Sequence, residues 1–346
     1  MTTLNDEIAA LTRALIADRR SPSTAGRTTF DTRLWQSLEE TELTGPELLD
    51  AADGDPVPAI AVLDELAAAA ADLPMLEHLW LGNWLLSAAE LTAPGVLIPI
   101  ADAGLALERS GSELLINGEA HGVTWGGAAQ TFLILFADGT LAAVPAAEAA
   151  VHTTGDAIGA PTSSVRFSAV RLGDGQSGLS RLSPEAYRDR RTVGRLIEIR
   201  GAARAAIEHS IAYVGQRVQF GRPLAKFQAV QSRIAGAMGE YSMLNAGVNL
   251  ALAGSPLDIM LARIDARRSV TDIHRSTHQV HGAMGVTAEH PLGFVTARMI
   301  TWLADTGTDT EFGGRARECI RADGAWEAIV APMRGTAPTT AKGDSP

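Results

Sequence analysis

The chain has 346 residues, 46% of them apolar, enough to bury the cores of more than one domain. Its 29 Lys and Arg against 40 Asp and Glu leave a net charge of −11. That excludes a general nucleic-acid binder, which needs a basic face to displace counterions from phosphates. A single cysteine, Cys319, excludes an internal disulfide and a cysteine-based zinc site.

Residues 1–20 read as an amphipathic helix, with Leu4, Ile8, Leu11 and Leu15 on one stripe. Early acids and the lack of a clean apolar stretch argue against a secretory signal. No apolar run reaches the ~18–20 residues of a membrane span, so the expected location is the cytoplasm, with no membrane partner. Ser21–Arg27 is a polar break. Thr32–Glu40 gives a second helix with Leu34, Trp35 and Leu38 on one face. Gly45-Pro46 and Asp53–Pro58 are turn clusters. Pro58–Asp72 and Pro74–Leu91 are two further helices. Trp80 and Trp84 in the latter could form a ligand stripe, but read more simply as core. Residues 1–93 are thus expected to form a helical domain.

From Pro94 the texture turns to short β-rich runs. Glu113–Ile116 meets Asn117-Gly118, a hairpin signal because both turn residues accept φ > 0. Gly122–Trp125, Thr131–Ala137, Leu141–Val144 and Val165–Leu172 complete the strands, with Asp138-Gly139 as a turn. Residues 94–180 are expected to form a small antiparallel sandwich or barrel. Ser183-Pro184-Glu185 then opens a long helix, with Ser as N-cap and Pro at the first helical position. Helices over Phe227–Leu252, Pro256–His281 and His290–Ala304 follow, and a short one over Gly314–Asp323. Residues 181–330 therefore read as a four-helix bundle, and 331–346 as a disordered polar tail. The fold class is α+β and multidomain.

Several groups of residues could carry chemistry. His274, His278 and His281 share a helical face, but no Glu follows the first His, so a packed stripe is expected and no metal. "QVHGAMG", Gln279–Gly285, reads as a helix end with a glycine cap. As a site, Gly282 and Gly285 would let a ligand approach the backbone, with the Gln279 amide beside it. "ADTGTDTE", Ala304–Glu311, is a solvated loop or the seat of a carboxylate base. The stretch "YVGQRVQFGRPLAKFQAVQ", Tyr213–Gln231, is a helix corner, with the first helix expected to end at Gly221. Arg217 and Phe220 would lie on the last turn of that helix, and Gln228 on the first turn of the next.

Read together, these phrases resemble the acyl-CoA dehydrogenase family. The corner matches "R-x-Q-F-G-x-P-L-x-x-F-Q-x-V-Q". "LINGEAHGVTWGGAA" resembles the family's "VING-x-K-x-W-I-T-N-G-G-x-A", and "QVHGAMGVTAEHPL" its "Q-x-x-G-G-x-G-x-x-x-E-x-P". The resemblance runs from about Leu34 to Cys319 and covers the same order of helical domain, β domain and bundle. It implies a flavoprotein that uses FAD for α,β-dehydrogenation of an acyl-CoA, usually passing electrons to an electron-transfer flavoprotein. By position, Arg217 would face the FAD pyrophosphate, Phe220 would pack near the cofactor and Gln228 would hydrogen-bond it. Gln279, Gly282 and Gly285 would cradle the adenosine-diphosphate part, and Thr124 and Thr308 would also fall at cofactor positions. In that family these groups serve an FAD seated mainly in a neighbouring subunit, which implies a tetramer here.

The departures lie in the other half of the site. The family's "T-E-P-x-x-G-S-D" is replaced by "IPIADAG", Ile98–Gly104, and the flavin-stacking Trp by Gly122. The base of "Y-E-G-T" falls on Thr306, with Asp305 beside it as the candidate catalytic carboxylate. The family's alternative base position holds Arg191. The expectation is one subunit of a heteromeric enzyme, similar to paired subunits of actinobacterial steroid-side-chain dehydrogenases. A self-sufficient enzyme using Asp305, and a retired family member that only binds a partner, stay open.

Overall fold

The computed structural model describes residues 3–18, 30–50, 57–101, 104–110, 113–154, 161–287 and 290–322. The Ser21–Arg27 break, most of the Asp53–Pro58 turn and the tail from 331 lie outside the described residues.

Four helices form the N-terminal layer: α1 (Leu4–Asp18), α2 (Thr32–Glu40), α3 (Ala59–Ala68) and α4 (Asn83–Ala88). The α2 start is local chemistry, since the Asp31 carboxylate accepts the Leu34 N–H at 3.1 Å. The expected Pro74–Leu91 helix is not uniform. Its first part, Leu76–Gly82, is a π-helix that runs into α4. The wider turn keeps Glu77, His78 and Trp80 all inside.

The middle layer is two four-stranded sheets. Its strands are β1 (Leu97–Ala101), β2 (Leu105–Ser110), β3 (Glu113–Thr124), β4 (Thr131–Leu135), β5 (Thr140–Pro145), β6 (Ala149–Thr154), β7 (Thr162–Arg171) and β8 (Ser177–Leu179). The orders are β1-β4-β5-β8 and β2-β3-β7-β6, antiparallel except for the parallel β1–β4 pair. Phe132 and Phe167 meet edge-on between them, ring centroids 5.8 Å apart. The Asn117-Gly118 hairpin is not formed. Strand β3 runs straight through it, with a register shift against β7 at that point. Two long-range contacts win over the local turn. Asn117 Oδ1 accepts the Ala169 N–H at 2.7 Å. Gly118 has φ +124°, and a Cβ there would sit 2.7 Å from the Gly104 carbonyl oxygen. The glycine serves a bulge and a close strand approach.

The bundle consists of α5 (Pro184–Gln216), α6 (Gln228–Ala253), α7 (Pro256–His281) and α8 (Leu292–Asp305), with α9 (Asp309–Ala322) packed on α7. Helix α9 starts earlier than the expected Gly314, because the Thr308 hydroxyl caps it by accepting the Glu311 N–H at 3.2 Å. The expected Ser183 cap of α5 is present, accepting from Ala186 N at 3.1 Å. Helix α5 is the axis of the molecule, packed against α3, α6, α7 and α8. At Gly201 it comes so close to α3 that a Cβ would lie 2.2 Å from the Asp64 carbonyl oxygen. One continuous apolar core joins the three layers through Leu76, Leu97, Phe132, Leu196 and Met299.

Candidate functional site: a neutralised carboxylate and an open corner

Helix α5 carries two guanidiniums at helical spacing, Arg191 and Arg195, toward the end of α8. Arg191 Nη2 donates to Asp305 Oδ1 at 2.6 Å, and its Nη1 to the Asp305 carbonyl oxygen at 3.0 Å. Arg195 Nε donates to Asp305 Oδ2 at 2.8 Å. Both oxygens of the candidate base are therefore spoken for. Burial alone would raise the Asp305 carboxyl, but the charges and hydrogen bonds of Arg195 and Arg191 outweigh it and hold the group below its ordinary value. A carboxylate held this way is a poor proton acceptor.

Arg195 does more. Its Nη2 donates to Glu77 Oε1 at 2.7 Å and its Nη1 to Glu198 Oε2 at 2.6 Å. Each nitrogen of the buried fork donates to a different carboxylate, joining the π-helix, α5 and the end of α8. Glu77, Glu198 and Asp305 outnumber Arg191 and Arg195 by one charge. The excess shows at Glu198, whose carboxyl is pushed up to about 7 by burial, against the pull of Arg195 and with the push of Glu77. The expected alternative base position, Arg191, is thus a cation inside a structural network.

The loop after Asp305 is fixed from α7. Arg263 donates through Nε to Thr306 Oγ1, through Nη1 to Asp309 Oδ1 at 3.1 Å, and through Nη2 to the carbonyls of Leu303 at 3.0 Å and Gly307 at 2.7 Å. Thr306 spends its hydroxyl proton on the Leu303 carbonyl at 2.7 Å. Thr308 is the α9 cap described above. The Arg263 and Thr306 side chains are thereby committed to holding the loop, while Thr308 stays exposed.

The corner after α5 is the opposite case. The helix ends at Gln216, not at Gly221, with Arg217 as its C-cap. A two-residue hairpin pairs Val218 and Gln219 with Pro223 and Arg222. Phe220 and Gly221 form its tip, at φ +53° and +78°, and Phe220 is 89% exposed. The reason is the Leu224 N–H, which bonds the Arg217 carbonyl at 2.8 Å and folds the chain back before Pro223. Arg217 and Gln228 are exposed, with no side-chain partner among the described residues. Phe227 lies edge-on to Phe220, centroids 6.1 Å apart, under the Arg222 guanidinium. So a cation, an amide and an aromatic ring face outward together.

Beside that corner, the end of α7 carries an open groove of about 490 Å³ lined by Thr271, His274, Arg275, His278, Gln279 and Gly282. Gly282 has φ +59°, and a Cβ there would meet nothing within 4 Å. Gly285 differs from the expectation of an open approach. It is buried, and a Cβ would press on His281, the His278 Nδ1 and Leu292 at 3.1–3.3 Å. Thr124 ends β3 opposite Thr162, in the β domain. The Trp80–Trp84 stripe is packed, with the Arg190 guanidinium 4.2 and 4.8 Å from the two rings.

The Asp305 network and the Arg263 clamp were missed by the sequence reading. Their signal was present as Arg195 and Glu198, an i,i+3 pair of opposite charges among Leu196, Ile197 and Ile199 on a buried helix face. His78 was missed too. Its Nε2 bonds the Thr44 carbonyl at 3.2 Å and its Nδ1 accepts the Leu97 N–H at 3.1 Å, tying the π-helix to β1. Among the described residues no group of His, Cys, Asp and Glu is arranged to hold a metal ion, and no helix is long and apolar enough to cross a membrane.

The family model "Acyl-CoA dehydrogenase, C-terminal domain" matches residues 190–314. The chain is 28% identical to the acyl-CoA dehydrogenase IpdE2 of Mycolicibacterium smegmatis over 269 residues, 76% of this chain and 80% of that one. Its fold is similar to the ChsE4-ChsE5 complex of Mycobacterium tuberculosis, with a TM-score of 0.76 at 19% identity over 92% of this chain and 97% of that one. It is also similar to a glutaryl-CoA dehydrogenase from Mycobacterium smegmatis in complex with FADH2, with a TM-score of 0.75 at 19% identity over 92% and 95%.

Proposed function

Because the chain belongs to the acyl-CoA dehydrogenase family, we propose that it is the accessory subunit of a heteromeric, FAD-dependent enzyme of that kind. Its own base position is neutralised, and its outward corner completes the flavin site of a partner subunit. The observation that carries this reading is the contrast between Asp305, closed by Arg191 and Arg195, and Arg217, left open.

The exposed residues fit the cofactor. Arg217 offers a planar fork to phosphate oxygens, Gln228 an amide, Phe220 and Phe227 aromatic faces, and Gly282 open backbone at φ +59° that a ligand can approach closely. Gln279 and Gly282 would hold the adenosine-diphosphate part. Bound FAD would supply the two-electron acceptor for α,β-dehydrogenation of an acyl-CoA, with an electron-transfer flavoprotein as the onward acceptor. This chain's residues bind and orient; the proton-abstracting carboxylate belongs to the partner. Support for association comes from α6, whose outer face leaves Met238, Met243 and Leu250 about half exposed. The relative solved as the ChsE4-ChsE5 complex also favours a paired assembly, which we place in a tetramer.

The test is acyl-CoA turnover by the co-purified complex. Asp305→Asn in this chain is expected to leave kcat within about threefold of wild type, whereas removing a working general base costs ~10²–10⁴-fold. Arg217→Ala is expected to strip FAD from the complex. A large loss of kcat in Asp305→Asn with FAD retained would instead support a self-sufficient site.

A further inference from the structure

The densest titratable group outside the Asp305 network is made of imidazoles. His281, the last residue of α7, is buried. Its Nδ1 lies 2.8 Å from the Thr277 carbonyl oxygen, so Nδ1 carries the proton and donates. The bare Nε2 is buried too and has no hydrogen-bond partner. The ring stacks on Tyr213 of α5, centroids 4.4 Å apart and planes 22° apart, and Tyr213 Oη reaches the His281 carbonyl at 3.5 Å. His290, before α8, meets the His281 ring edge-on at 4.5 Å.

This stack joins the two segments of the outward site. Arg217 lies one helical turn beyond Tyr213, and its N–H bonds the Tyr213 carbonyl at 2.8 Å. Gly282 follows His281 directly. We propose that Tyr213 and His281 are positioning residues that hold the Arg217 corner and the Gly282 groove in register, and that acid releases this clamp by protonating His281. The inference rests on the reading that these two segments hold a partner's flavin.

The surroundings make the clamp one-sided. From α5 it faces His209, Tyr213 and Glu208, the last acting on His209. From α7 it faces His278, with His274 beyond; Arg275 is paired with Asp272. Between α7 and α8 it faces His290, and from α8 the Thr296 hydroxyl holds His278 Nε2 at 2.8 Å. Among the described residues no carboxylate bonds to His281 or His290. Burial lowers His281; the Thr277 carbonyl pulls the other way, and His290 and His209 lower it further. An opened state titrates near the ordinary 6.5, the closed one lower. The clamp is therefore complete above 6.5 and weakens as pH falls toward the lowered value.

The experiment uses the flavin-loaded complex, desalted at about pH 7.5 and about pH 5.5, with flavin retention read by absorbance, and this chain alone melted at both. Wild type is expected to lose flavin on acidification, by up to about tenfold per pH unit below the ordinary histidine value, the limit for one proton. His281→Phe keeps a ring on Tyr213 with nothing to protonate, and is expected to at least halve both the acid loss of flavin and the acid drop in Tm. His281→Gln is expected to retain less flavin at both pH values, with the acid step equally reduced. Either variant showing the full wild-type acid step overturns the proposal. Arg217→Ala separates the two readings: if it keeps its flavin, the cradle assignment fails, and the melting of the lone chain still decides whether His281 is the acid-sensitive group.

Discussion

Replacing Arg195 by Ala removes a guanidinium that is 3% exposed and holds Glu77 and Glu198, which are 7% and 9% exposed at their side chains. Asp305 keeps Arg191, but the other two carboxylates are left buried without a cation. Removing one partner of a buried ion pair costs about 3–5 kcal/mol, because the remaining charge stays desolvated. At roughly 2–4 °C per kcal/mol, the melting temperature should fall by roughly 6–20 °C near neutral pH. Acid should restore part of it. Glu198 already sits above its ordinary 4.5, so its own share of wild-type stability falls as pH rises from 4.5 toward about 7. Without Arg195 that dependence should steepen. Arg195→Met combined with Glu77→Gln and Glu198→Gln should recover most of the loss, since no charge is then stranded. Thermal melts of the three proteins across pH make the comparison. A drop below about 2 °C, or one that acid does not relieve, would show that water, not Arg195, satisfies these carboxylates.

Three further outcomes follow from local geometry. Gly201→Ala forces a methyl against the Asp64 carbonyl and should cost about 1–3 kcal/mol by urea unfolding, despite the better helix propensity of Ala. Gly118→Ala meets both a positive φ and the Gly104 carbonyl, and should lower the melting temperature of the chain measurably. His78→Leu leaves the Leu97 N–H without its acceptor and should cost about 1–3 kcal/mol in the same unfolding assay. Burial holds His78 near 4, so its share of wild-type stability is present above 6.5 and lost as pH falls toward 4.

What the sequence could tell depended on how local the deciding contact is. Helix α2 and helix α7 have the expected bounds because a cap and an apolar stripe define each within a few residues. The α5 start was legible in Ser183-Pro184 for the same reason. Asn117-Gly118 misled because its backbone preference serves a bulge as well as a turn, and the choice lies with β7, about fifty residues on. The phrase carrying Arg217, Phe220 and Gln228 was legible as a corner, but not the hairpin that turns Phe220 outward. Asp305 looked like a base because it lies in a polar loop beside Thr306, where the family resemblance puts the base. Its partner Arg195 lies 110 residues away in sequence, so nothing near Asp305 itself reveals the pairing.

The most direct measurement is the visible absorption spectrum of this chain, purified alone and then with a partner acyl-CoA dehydrogenase subunit. A divided site gives a colourless chain that becomes part of a yellow, active enzyme only in the complex, with Arg217→Ala bleaching it. A chain that is yellow by itself, with about one flavin per polypeptide and turnover of acyl-CoA, would contradict the divided site.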